Sequence, residues 1–141
     1  MSDLLRFKEA QRRDFDTALA EIKNGRKQSH WMWYIFPQIH GLGFSSMSAY
    51  YAIKDLEEAK DFLNDPYLGG NLRKISEALL ELDTDDPHRV FGSPDDLKLL
   101  SCMTLFEAAG GRVGVFTRVI EKYYKGRRDQ KIGRASCRER V

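Results

Sequence analysis

Apolar positions recur along this chain at helical spacing. Phe7, Phe15, Ala18, Leu19 and Ile22 fall on one face of a helix predicted from about Leu4 to Lys23, with Gln11 the one polar residue in the stripe. Asn24-Gly25 ends it, because glycine accepts a left-handed cap. Ser29 is a candidate N-cap for a short helix through Tyr34 or Ile35, which Pro37 limits by pushing Phe36 out of helical geometry. "HGLGFSS" reads as a loop, and Ser45 or Ser46 caps a short helix through Tyr51 and Ala52. Asp55 and Glu58 form a capping box for a helix to about Leu63. After the break at Pro66, the clearest stripe of all is Leu68, Leu72, Ile75, Leu79 and Leu82. Asp83 to His88 reads as a polar turn. In "SPDD", Ser93 is the expected cap and Pro94 the first helical residue, with Asp95 and Asp96 at the positive helix end. That helix runs through "LKLLSCMTLFEAA". A last one spans about Val113 to Lys125, with Val113, Phe116, Ile120 and Tyr123 on one face. No stretch alternates as a strand would. The expectation is an all-α fold: a compact single-domain bundle of six to seven unequal helices.

Composition adds bounds. The chain has 141 residues, 42% apolar and 11% aromatic, which suits one domain with an ordinary core. No apolar run reaches the length of about 20 residues that a membrane span needs, and the N-terminus lacks an apolar signal region. A reduced cytoplasm is the default location for a chain whose two cysteines, Cys102 and Cys137, make neither a disulfide framework nor a zinc spacing. The segment 132–141, "IGRASCRERV", has no apolar periodicity and looks like the in-frame translation of a sequencing-adapter read-through. It is read as a non-native tail, leaving 1–131 as the domain. Its three arginines against one glutamate carry the whole chain's net charge of +2. The domain itself is therefore neutral, nucleic acid is not the expected partner, and no membrane is expected.

Two segments carry candidate chemistry. In the helix after Ser93, Lys98, Ser101 and Thr104 recur every third residue as a polar strip among leucines, Cys102, Met103 and Phe106. A buried ammonium needs an acid, a polar cavity or an anionic ligand. Alternatively Lys98 snorkels to the surface and the two hydroxyls bond back to the preceding turn. In "SHWMWYIFPQ", Trp31, Trp33, Tyr34 and Phe36 serve either as core or as a ligand wall. Arg26, Lys27, His30, Gln38 and His40 flank them. Aromatic faces beside cationic donors suit a planar anion, although no phosphate loop or dinucleotide fingerprint is present. The histidine spacing fits no metal, so no metal site and no cofactor are expected. Cys102 is expected to pack as a small hydrophobe.

"GRKQSHWMWYIFPQIHGLGFSSMSAYYAI" and "GSPDDLKLLSCMTLF" together resemble the DUF1810 family, small proteins of unknown function, over residues 6 to 130. The resemblance implies a compact helical domain and family motifs that include Lys27, Ser29, His30, Trp31, Trp33, Gln38, Lys98, Ser101 and Thr104. Cys102 stands where the family commonly has serine, which argues against an obligatory thiol nucleophile. The second motif also resembles the closing region of the NADAR-type helical proteins, which process ADP-ribose-linked nucleotides.

From both lines of reasoning, a pocket is expected between the two segments. His30 and Lys98 would be its proton-transfer or catalytic groups. Lys27, Ser29, Trp31, Trp33, Gln38, Ser101 and Thr104 would hold an anionic small molecule, nucleotide-like or phosphorylated, and hydrolysis of such a compound is the reaction to test. The competing expectation is a non-catalytic interaction module that presents Trp31 to Phe36 to a protein partner, whose identity the sequence does not give.

Overall fold

The computed structural model describes residues 3–43, 45–110 and 114–130. Among these, eight helices form: α1 (Leu5–Lys23), α2 (Met32–Ile35), α3 (Ser46–Tyr50), α4 (Leu56–Asn64), α5 (Pro66–Leu80), α6 (Pro87–Phe91), α7 (Asp95–Gly110) and α8 (Val115–Tyr124). The all-α expectation holds. The one regular exception is a single parallel bridge between Ile39 and Ile53, in which the His40 amide donates to the Ile53 carbonyl at 2.7 Å.

The predicted stripes became the core. Phe7, Phe15, Ala18 and Ile22 of α1 and Leu68, Leu72, Ile75 and Leu79 of α5 are buried. Gln11, the apparent fault in the first stripe, is 1% exposed. Its amide donates to the Tyr34 carbonyl at 2.9 Å and accepts from Asn71 at 3.0 Å, so the buried polar group is satisfied. Helix α7 is central: Leu99 and every residue from Ser101 to Glu107 are buried, with α4, α6 and α8 packed around it. Edge-to-face and tilted rings from Phe7 through Phe62 and Phe106 to Phe116 run across the core at 5.2, 5.2 and 6.1 Å.

Helix ends follow the sequence in most places. The Asp55 side chain accepts from the Glu58 amide at 2.8 Å, Ser45 caps α3 through the Ser48 amide at 3.0 Å, and Asp65 caps α5 at Tyr67 and Leu68. The carbonyl end of α5 is capped from another helix. The Lys122 ammonium of α8 donates to Leu79, Leu80 and Leu82 at 3.2, 3.0 and 2.5 Å, a cation at the negative helix terminus. One glycine is compelled by close approach. A Cβ on Gly69 would lie 2.0 Å from the Leu63 carbonyl oxygen, so only glycine lets α5 turn back against the end of α4.

Four details differ from the sequence reading. Asp83 to His88 is not wholly a turn: Asp86 caps the extra helix α6 by accepting from the His88 amide at 3.0 Å. Ser29 does not cap α2, because its hydroxyl turns to Glu21 instead. Helix α7 begins at Asp95, with Leu97 and Lys98 amides donating to the Pro94 carbonyl at 3.0 and 3.2 Å, and the Ser93–Pro94 peptide is cis. Leu82 lies beyond the end of α5 at Leu80. Val113 and the 131/132 boundary fall outside the described residues.

Candidate functional site

The segment between α1 and α2 is built around one carboxylate. Glu21 Oε1 accepts from the Gln28 amide at 2.8 Å, the Ser29 amide at 2.9 Å and the Trp31 indole at 2.8 Å, and Oε2 accepts from the Ser29 hydroxyl at 2.5 Å. Burial alone would raise its pKa. The Ser29 hydroxyl, the Gln28 and Ser29 amides and the Trp31 indole outweigh that and bring it down to about 2. This anchoring carries Trp31 into the core against Phe36 and Phe91, with ring centroids 6.1 and 6.5 Å away. Trp31, Met32, Tyr34, Ile35 and Phe36 are all buried, whereas Trp33 is only partly covered.

Trp33 faces Lys98. The ammonium lies over the indole ring, 5.9 Å from its centroid, and 3.6 Å from Asp95 Oδ1. Two adjoining hollows meet there. The smaller is a cavity of about 90 Å³ lined by Trp33, Phe36, Gln38, His40, Ser48, Tyr51 and Lys98, with Gly41 and Gly43 at its edge. The larger is a groove of about 640 Å³ lined by Gln38, Leu42, Pro94, Leu97, Lys98, Leu100, Ser101, Arg128 and Asp129. Gln38, Gly43, Ser48 and Lys98 belong to both.

The structure thus brings together Trp33, Gln38, Lys98 and Ser101 of the residues expected from sequence. Trp31 and Ser29 stand behind them, held by Glu21. Thr104 lines neither hollow; its hydroxyl donates to the Leu100 carbonyl at 2.8 Å and accepts from the Asp129 amide at 3.1 Å. His30 is exposed and lines neither hollow, and its carbonyl accepts from the Tyr34 hydroxyl at 3.3 Å. Lys27 turns to the far side of Asp95, pairing with Oδ2 at 3.1 Å and donating to the Ser29 carbonyl at 2.6 Å. Asp95 therefore takes one lysine on each oxygen, Lys27 from the first segment and Lys98 from the second. The histidine that lines the smaller cavity with Lys98 is His40, whose backbone is held by the Ile39–Ile53 bridge. Its neighbours Gly41 and Gly43 were the sequence signal, since an open loop after "PQIH" leaves room for a wall.

The polar strip on α7 extends one step further than expected, to Glu107. Its partner is the chain after α8. Arg128 forks onto Glu107 at 3.0 and 2.6 Å, the Ser101 hydroxyl donates to Asp129 Oδ2 at 2.5 Å, and Thr104 receives the Asp129 amide. Residues Gly126 to Asp129 thereby form a strap along α7 and one wall of the groove. Cys102 points the other way, fully buried, and burial pushes its thiol well above the usual range. Among the described residues no group of histidine, cysteine, aspartate and glutamate is arranged to hold a metal.

Fold and hollow define a small helical protein with a tryptophan–lysine recess where two distant segments meet. The family model described as "Protein of unknown function (DUF1810)" matches residues 1–135, and the chain belongs to that family. The crystal structure of the conserved hypothetical protein Rv1873 from Mycobacterium tuberculosis is similar at 39% identity with a TM-score of 0.89, over 92% of this chain and 93% of that one. Comparison with curated proteins gives no match. No described helix is long and apolar enough to cross a membrane.

Proposed function

We propose that the paired hollows bind a small anionic molecule with a planar part, of the kind a nucleotide-like or phosphorylated metabolite presents. The observation that carries this reading is Lys98, whose ammonium stands over Trp33 on the boundary shared by cavity and groove. It offers charge to a phosphate or carboxylate, and the indole face beside it offers a stacking surface. Gln38 and Ser48 supply hydrogen-bonding groups, and His40 a group that can exchange a proton. The cavity of about 90 Å³ has room for roughly three waters at ~30 Å³ each, or for one polar group of a ligand. The groove of about 640 Å³ lies within the range of ~300–1,000 Å³ typical of small-molecule sites.

The reading is one of binding. His30 lies away from both hollows, so no hydrolytic step is assigned to the pair His30 and Lys98, and His40 is the imidazole to substitute when turnover is assayed. The interaction-module reading gains nothing from the geometry, since Trp31, Tyr34 and Phe36 are buried. Thermal-shift titration with nucleotides and sugar phosphates tests the proposal. A ligand at about 100 times its Kd adds roughly 2.7 kcal/mol and raises Tm by several degrees. Lys98→Met keeps the fold and abolishes that rise. A panel without effect at millimolar concentration, or a rise that persists in Lys98→Met, would overturn it.

A further inference from the structure

Lys27 leads to a second concave surface, distinct from the Trp33 recess. The turn after α1 and the short helix α6 lie side by side, joined by the Lys27 amide donating to the Val90 carbonyl at 2.7 Å. Between them is a hollow of about 610 Å³ whose charged lining is Arg26, Lys27, His88 and Arg89. No carboxylate lines it among the described residues. The acids stand behind the bases: Asp95 holds Lys27 at 3.1 Å, and Asp96 lies 3.5 Å from His88 Nδ1. Arg26 and Arg89 are exposed and make no ion pair among the described residues. The backbone amides around the hollow are already used. Gly25 donates to Ile22, Arg26 to Glu21 and Gly92 to His88, at 2.8, 3.1 and 2.7 Å. Recognition therefore falls to the side chains, and the two free guanidinium forks match the geometry of a phosphate or carboxylate.

We propose that Arg26 and Arg89, backed by Lys27 and His88, form a second anion site that takes the phosphate or pyrophosphate group of a small phosphorylated molecule. Two unpaired guanidinium groups on one hollow, with the Asp95-paired Lys27 beside them, suit a multiply charged phosphate better than a single carboxylate. The size of the hollow leaves room for the rest of a small molecule. A nucleic-acid backbone fits less well, because among the described residues outside this cluster the acids outnumber Lys and Arg. The site shares only Asp95 with the Trp33 recess, and its two guanidinium groups take no part in that recess, so the two can fail separately.

Isothermal titration with inorganic pyrophosphate at constant ionic strength tests it, using the parent, Arg26→Gln/Arg89→Gln and Lys98→Met. Both arginines are exposed, so the double variant keeps its fold, which its circular dichroism and melting curve verify. The expected result is saturable binding to the parent and to Lys98→Met alike, weakened at least tenfold in the double variant. Absence of binding to the parent, or equal affinity in the double variant, overturns the proposal. So does a single-stranded DNA 20-mer that binds the parent more tightly than pyrophosphate and loses affinity steeply with salt, because the cluster would then be a nucleic-acid contact.

Discussion

Glu21 offers a quantitative test of how the first motif is held. Its carboxylate is the common acceptor for four donors between Gln28 and Trp31, and it titrates at about 2 in the folded protein against 4.5 for a free glutamate. One pKa unit is about 1.4 kcal/mol, so the full difference corresponds to roughly 3 kcal/mol. The group is half-open to solvent, which screens it, and about 1.5–2 kcal/mol is the fair expectation. Because the folded-state pKa lies below the unfolded one, this stability is present above about pH 4.5 and drains away as pH falls towards 2. Glu21→Gln keeps the shape and can leave Oε1 to its three N–H donors, with its amide facing the Ser29 hydroxyl, but it removes the negative charge that strengthens all four bonds. Urea denaturation followed by tryptophan fluorescence should show the variant about 1.5–2 kcal/mol less stable at pH 7. The gap should narrow substantially by pH 3. Equal midpoints at pH 7, or a gap of constant size down to pH 3, would refute the role given to this carboxylate.

Four further outcomes follow from the packing. Gly69→Ala forces a Cβ to 2.0 Å from the Leu63 carbonyl, so urea unfolding should show a loss of about 2 kcal/mol or more as the α4–α5 corner shifts. Glu107→Gln removes the charge that Arg128 grips, and since Glu107 is buried and Arg128 partly open, a loss of about 2 kcal/mol is expected, with faster amide exchange at 126–130 read by hydrogen exchange. Lys122→Met takes the ammonium from the Leu80 and Leu82 carbonyls at the end of α5, while Leu79 keeps the Tyr123 hydroxyl at 2.6 Å, and should lower stability by about 1 kcal/mol, measured by thermal unfolding. In a Cys137→Ser background, Cys102 should react with a disulfide reagent only as fast as the protein unfolds, whereas reaction within seconds in native buffer would show an open thiol.

The fold was legible where burial alone sets the pattern. The stripes of α1 and α5, and the caps at Ser45 and Asp55, depend on residues within one or two turns of each other, and local spacing reports them directly. Helix α6 was not legible, because five residues give no periodicity and its cap, Asp86, sits in a run of acids that reads equally well as a turn. Ser29 illustrates a different failure. A serine before an apolar run is a cap by local rules, but a carboxylate eight positions upstream competes for its hydroxyl and wins with a charge-assisted bond at 2.5 Å.

The polar strip of α7 shows why a site is harder to read than a helix. Lys98, Ser101 and Thr104 are one row of side chains, and their spacing says only that they share a direction. What they meet is decided by segments some 25 to 65 residues away. Ser101 and Thr104 meet Asp129, and with Glu107 and Arg128 they fasten the strap that walls the groove. Lys98, one turn nearer the start of the helix, meets Trp33 and Asp95 instead. One row of residues thus divides into a structural seam and a recess wall. The same reasoning separates the two lysines on Asp95, since Lys27 approaches Oδ2 from the arginine-rich hollow and Lys98 approaches Oδ1 from the tryptophan side. A neutral Asp95→Asn side chain would loosen both ammonium groups at once. It should alter binding at both hollows in a single variant, where Lys98→Met alters only one.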